Sequence, residues 1–196
     1  MKNMKKSVAI LLAVVLLVGV VIGGTLAWFT DKTQKVENTF TVGNIDIELD
    51  EDDNTKDDDT RTEVGNDYKM IPGWTITKDP VATVVAGSED CYLFVKLDKS
   101  ANFDDFMTYE MADGWTKLAD GVYYREVTAG AADQEFHVIK NDTITVKDTV
   151  TKAMMDTLGT DRTKYPTLNV TAYATQLYKN NTTKFEPAEA WAIANP

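Results

Sequence analysis

The 196-residue chain contains one cysteine, one histidine and, beyond residue 27, two serines. A single cysteine, Cys91, excludes any disulfide within the chain, so an exported domain of this sequence must be held by packing. Cys91 alternates with apolar neighbours in residues 91–97, the setting of a buried, inert thiol. A single histidine, His137, excludes the His-Glu-x-x-His motif and every zinc set that needs two imidazoles. It stands inside a strand-like run and reads as a structural or surface residue. Ser88 and Ser100 lie in no Gly-x-Ser-x-Gly elbow, so nothing points to a serine hydrolase. Glycine-rich phosphate loops, cysteine pairs and internal repeats are also missing. These residues give no reason to expect a cofactor, a metal or an enzyme.

Positive charge is the minority. The formal net charge is −11, and such a surface repels phosphate backbones and anionic lipid, which excludes nucleic acid as a partner. Three lysines stand at the very start: Lys2, Lys5 and Lys6 precede a stretch without charge that ends only at Asp31. A basic start, an apolar stretch, Gly19, Gly23 and Gly24, and the small pair Thr25 and Ala27 are the parts of a secretory signal peptide. Cleavage is expected between Ala27 and Trp28, giving a leader of residues 1–27 and a single secreted domain of residues 28–196. Uncleaved, the same stretch is long enough to anchor the chain in a membrane, with the domain outside in either case. Removing the leader takes away three lysines and no acid, which moves the charge from −11 to −14.

What is present in quantity is threonine, valine, isoleucine and aromatic residues, a strand-forming composition. Residues 39–42 and 45–49 alternate around Gly43-Asn44. Residues 75–78 break at Asp79-Pro80, and residues 81–85 and 91–97 read as two neighbouring antiparallel strands. Asp120-Gly121 punctuates a hairpin of residues 115–118 and 122–126. A second pair, residues 135–139 and 143–146, flanks Asn141-Asp142. Residues 168–176 alternate cleanly and read as a core strand. A helical turn is expected near Phe103 and Phe106, and a helix over 149–158 capped by Asp148 or Thr149 and ended by Gly159. A last short helix starts near Pro187. Nine or ten short strands with frequent turns predict an all-β antiparallel sandwich with one or two short helices, preceded by the hydrophobic signal helix.

Residues 50–59 hold seven acids in ten positions, which predicts a solvated, mobile loop across 50–66. Asp50-x-Asp52-x-Asn54 opens like an EF-hand, but Thr55 stands where glycine is needed and Arg61 where glutamate is needed, so calcium binding is not expected. Trp28, Trp74, Trp115 and Trp191 read as packing residues, with a sugar-binding face as the alternative.

Several of these stretches resemble one family. Residues 23–31 (Gly-Gly-Thr-Leu-Ala-Trp-Phe-Thr-Asp), 38–47, Ile71-Pro72-Gly73, Lys78-Asp79-Pro80 and residues 173–176 are similar to the TasA/camelysin-like proteins of Gram-positive bacteria. Those are exported with a signal peptide of the SipW-dependent type. The resemblance implies a jelly-roll sandwich, secreted to the extracellular space or cell surface. It also implies a self-assembling subunit of biofilm-matrix fibres, with a SipW-type signal peptidase and other matrix proteins as further partners. It implies growth by donor-strand addition, with the freed N-terminus completing a sheet of the next copy. By position the donor is residues 28–38, with Trp28, Phe29, Val36 and Phe40 as its apolar residues. The alternatives are a monomeric surface adhesin and, because camelysins carry the name, a metalloprotease.

Overall fold

β-branched and aromatic residues alternate through most of the chain, and in the computed structural model, which describes residues 43–56 and 60–196, they form antiparallel sheets. The expected leader, the cleavage pair Ala27 and Trp28, and the donor residues Trp28, Phe29, Val36 and Phe40 lie outside the described residues. The strands are β1 (Ile47–Asp52), β2 (Arg61–Thr62), β3 (Thr75–Thr77), β4 (Val81–Val84), β5 (Cys91–Lys99) and β6 (Met107–Thr108). They continue with β7 (Thr116–Ala119), β8 (Val122–Val127), β9 (Gln134–His137), β10 (Thr143–Val146) and β11 (Leu168–Gln176). A first four-stranded sheet runs β2-β1-β4-β9 and a second runs β11-β5-β8-β7. A third, of three strands, runs β3-β10-β6.

The two four-stranded sheets pack face to face, which is the sandwich the composition predicts. Ala82 and Val84 of β4 meet Cys91, Leu93, Val95 and Leu97 of β5, all at most 3% exposed. Ile47 and Leu49 from one sheet and Val170 and Ala172 from the other complete that core. Because side chains alternate across a strand, Tyr92 and Phe94 of β5 emerge on the opposite face. There they are covered by helix α3 (Pro187–Ala194), through Ala190 and Trp191. The Phe94 and Trp191 rings lie 5.3 Å apart, and Tyr173 meets Trp191 edge-on at 5.1 Å. Helix α3 begins with Pro187 and a reciprocal capping box between Glu186 and Glu189. A separate cluster fills the end of the sandwich. It joins helix α1 (Phe103–Phe106), Ile144 and Val146 of β10, and Leu158 of helix α2 (Lys152–Leu158). Thr151, not Asp148 or Thr149, caps α2, since its hydroxyl accepts from the Met154 N–H; Gly159 at φ 58° ends the helix.

Two sequence expectations are corrected. Residues 81–85 and 91–97 are not partners: β4 pairs with β1 and β9, while β5 pairs with β11 and β8 in the opposite sheet. The turn between them, with Gly87 at φ 81°, carries the chain across the core. Nor do residues 135–139 and 143–146 form a hairpin. β9 pairs with β4 and β10 with β3, so they are successive pieces of one bent strand running beside another. At the corner, residues 138–142 stand opposite residues 78–80, a bulge in which Asn141 and Asp142 both adopt left-handed backbone (φ 55° and 54°). Asn and Asp are the residues that tolerate this conformation, so Asn141-Asp142 is a corner rather than a hairpin turn. The hairpin at Asp120-Gly121 does form, with Gly121 at φ 68° and its would-be Cβ 2.6 Å from the Leu97 carbonyl.

Burial and the neighbouring Asp90 charge push the Cys91 thiol up to about 11, so it should resist thiol reagents at neutral pH until the domain unfolds. Phe94→Ala should destabilise the domain by about 3–5 kcal/mol in chemical denaturation, because the ring is fully buried against α3 and its neighbours cannot close the space.

Candidate functional site: a free sheet edge

Each sheet must end somewhere, and the chain treats its edges differently. In the first sheet, one end is β2, only two residues long. The other end, β9, is covered by the segment before β7. Met111 bridges Ile139, the Ala112 N–H donates to the Val138 carbonyl at 3.0 Å, and the Trp115 indole donates to the His137 carbonyl at 2.8 Å. Arg125 seals that side. Its guanidinium stacks 3.9 Å over Phe136 and 5.3 Å over Trp115, and burial lowers its pKa. Gly114, at φ 87°, lets the backbone close over it; a Cβ there would lie 3.1 Å from the guanidinium. In the second sheet, β7 is a short edge that carries Lys117 and an irregular register between Lys117 and Ala119. Shortness, a lysine and a bulge are the usual guards against unwanted pairing.

β11 has none of them. It is a regular nine-residue strand, Leu-Asn-Val-Thr-Ala-Tyr-Ala-Thr-Gln, without a charge or a proline. β5 pairs with it along its whole length, and among the described residues no strand lies on its other side. The direction of its free groups follows from parity. The Thr167 carbonyl accepts from the Ser100 N–H at 3.0 Å, and the Leu177 N–H donates to the Asp90 carbonyl at 2.9 Å, so both ends of the strand turn odd-numbered residues toward β5. Leu168, Val170, Ala172, Ala174 and Gln176 therefore point their N–H and C=O groups away from β5. Their expected place as a core strand is thus half right: Leu168, Val170 and Ala172 bury inward side chains, but the backbone is an edge. β1 repeats the pattern across the sandwich. The Asp46 carbonyl accepts from Val85 on the β4 side, leaving Ile47 and Leu49 directed outward. Leu49, Leu168 and Val170 line a cleft of about 140 Å³ between the two edges.

Below this cleft lies a charged cluster that the sequence did not advertise. Lys78 and Glu51 form an ion pair with both side chains almost fully buried, and Lys78 Nζ lies 5.5 Å from the centre of the Tyr68 ring. Burial, and next the Glu51 charge, raise the Tyr68 pKa. Asn66 donates to Glu51 at 3.1 Å, and Arg61 bridges Asp50 at 2.6 Å and Asp79 at 2.8 Å. The only sequence hint of Lys78 burial is its place two residues after Ile76, where strand alternation puts it on the same face.

The other expected residues are dispersed. Asp50–Asp52 belong to β1, and residues 57–59 of the acidic run lie outside the described residues. Asp50 is committed to Arg61, while Asp53 accepts from Thr55 and pairs with Lys56. His137 is half exposed, with its Nδ1 2.8 Å from Asp142. Ser88 and Ser100 hold backbone groups of Asp46 and Thr167. Trp115 and Trp191 pack as expected, whereas Trp74 is 62% exposed. No group of three or more His, Cys, Asp or Glu side chains able to hold a metal occurs among the described residues.

The parity of β11 has a direct readout. In hydrogen exchange of the monomeric domain, the amides of Asn169, Thr171, Tyr173 and Thr175 should be protected, while those of Leu168, Val170, Ala172 and Ala174 should exchange faster. Uniform protection along the strand would mean that the edge is already covered.

Residues 3–88 match the model of a family described as camelysin metallo-endopeptidase. Among curated proteins and among solved structures nothing matches the chain. The family's description implies a metal, and the described side chains do not fit one: the sole histidine is engaged with Asp142, and no third His, Cys, Asp or Glu joins them in a ligand group among the described residues. The matched segment runs through β1 and β4 and takes in residues 23–31, 38–47, 71–73 and 78–80, on which the resemblance was read: over residues 3–88 the chain is similar to the camelysin family.

Proposed function

We propose that this chain is an exported structural subunit that assembles head to tail into extracellular matrix fibres. One copy's segment of residues 28–38, released by cleavage after Ala27, adds to the β11 edge of the next. The observation that carries this reading is the edge itself, a long, regular strand with five outward-facing backbone pairs and no protective charge. An added strand would satisfy those groups, and Leu49, Leu168 and Val170 in the adjoining cleft would receive its apolar side chains. Because donor and acceptor sit at different places on the chain, such contacts do not close on themselves and generate a filament. The match of residues 3–88 supports the link to the camelysin-like family whose resemblance suggested this reading. No cofactor enters this function. The leader would hold the donor at the membrane until a signal peptidase of SipW type frees it at the surface of a Gram-positive cell.

Ala172→Pro tests the acceptor. Its N–H faces the free edge, so proline there removes no bond to β5 and the domain should fold. Fibres, scored by electron microscopy and sedimentation of residues 28–196, should disappear with Ala172→Pro and with deletion of residues 28–38. Fibres that persist in both variants would rule out this edge and this donor.

A second reading, a metallo-endopeptidase, is favoured by the description of the matching family. It predicts casein cleavage that a chelator abolishes. Such cleavage, lost in His137→Ala, would replace the structural reading.

A further inference from the structure

We propose that Lys78 and Asn66 form an intramolecular isopeptide bond, with Glu51 as the proton carrier. Three side chains supply the groups that amide aminolysis needs, an amine and an amide held on one carboxylate. Lys78 supplies a primary amine at 8% exposure, and Glu51, at 6% exposure, holds it through Oε2. The other oxygen of the same carboxylate accepts from Asn66 Nδ2 at 3.1 Å, so one group bridges the nucleophile and the departing nitrogen. The amide is polarised from its far side, since Asn66 Oδ1 accepts the Asn54 N–H at 3.1 Å. Nδ2 also donates to the Asp52 carbonyl at 2.7 Å, and the Asn66 N–H donates to Glu51 at 3.2 Å, which together fix the amide over the carboxylate. The Tyr68 ring lies 5.5 Å from Nζ. A purely structural ion pair needs only the lysine and the glutamate; here the other oxygen of the same carboxylate also holds an asparagine amide.

The chemistry balances without a further reactant. Glu51 takes a proton from the Lys78 ammonium, which replaces two buried charges by two neutral groups. The free Nζ attacks Asn66 Cγ, and the negative charge that develops on Oδ1 faces the Asn54 N–H. Glu51 then gives its proton to Nδ2 and takes one from Nζ. The Cγ–Nδ2 bond breaks, ammonia departs carrying the remaining proton as ammonium, and Glu51 is again a carboxylate. Lys78 ammonium plus Asn66 carboxamide become a secondary amide plus ammonium. Holding amine and amide on one carboxylate supplies the proximity that an otherwise slow reaction needs, with effective molarities of about 10⁵ M or more in well-oriented cases. The product ties the end of the acidic segment to the corner between β3 and β4, a covalent brace in a chain that cannot make a disulfide.

The test is the intact mass of the purified full chain, followed by peptide mapping. The expected result is a deficit of one ammonia, a Lys78–Asn66 linked peptide, and full mass in Glu51→Gln and in Asn66→Ala. Full mass in the unaltered, folded protein overturns the proposal, and Lys78 and Glu51 are then a structural pair. A deficit without the linked peptide, as from cyclisation of Asn66 onto its own backbone, overturns it equally. A link that survives Glu51→Gln removes Glu51 from the reaction. Because none of these readouts depends on polymerisation, the result stands apart from the fibre assignment.

Discussion

Everything in the domain is arranged around β5, which is paired on both sides and buried on both faces. Its odd residues close the sandwich against β4, and its even residues, Tyr92 and Phe94, close the outer layer against α3. A stretch with no solvent face must be apolar nearly throughout, and residues 91–97, Cys-Tyr-Leu-Phe-Val-Lys-Leu, are so; Lys96 is half-buried, and only Asp98 and Lys99 at the strand's far end are exposed. With disulfides excluded by composition, this two-sided burial is the main source of cohesion, and it fixes which strands can flank β5. β8 takes one side, with β7 beyond it across the tight hairpin at Gly121. β11 takes the other after a long excursion through α1, the third sheet and α2, and that order leaves β11 at the margin.

The margins show how the fold separates a closed side from an open one. Arg125, Trp115 and Phe136 close the β9 side with a cation stacked between rings, where the backbone of Gly114 can approach because it lacks a Cβ. Among the described residues, the β11 side keeps an uninterrupted ladder of outward groups. A monomer gains nothing from leaving nine regular residues uncharged at an edge, since such an edge invites pairing. A subunit that grows in one direction needs one open edge and guarded others. The strongly negative surface is compatible with this, because main-chain pairing at an uncharged strand is local while the repulsion between copies is spread and screened by salt.

The corner between β3 and β4 adds a second constraint. Opposite it, Asn141 and Asp142 take left-handed backbone so that β9 and β10 can follow the same bend, and the Lys78 N–H donates to the Asp142 carbonyl at 2.8 Å. The bend turns Lys78 inward, where a charge cannot remain without a partner, and Glu51 of β1 meets it. Asn66 and Tyr68 then fold over the pair. A backbone irregularity thus encloses a charged cluster that residue spacing in the sequence does not reveal.

Local signals carried the class of the fold and many of its elements. Alternation in residues 91–97 and 168–176, the Asp-Gly turn, the glycine ending α2 and the proline opening α3 are written in neighbouring residues, and each has its expected form. The camelysin-like segment was also legible, as a run of particular residues. Partner choice was not. Alternation says that residues 81–85 are a strand but not which strand lies beside it, and a two-residue Asn-Asp signal serves a hairpin and a corner alike. Whether β11 is central or marginal, whether Lys78 is solvated or buried, and which groups stand beside Glu51 depend on contacts between residues far apart in the chain. Sequence alone determined the composition that forbids disulfides and favours strands. Tertiary structure decided which edge stays open and which charge is enclosed, because both are properties of the whole packed assembly of strands.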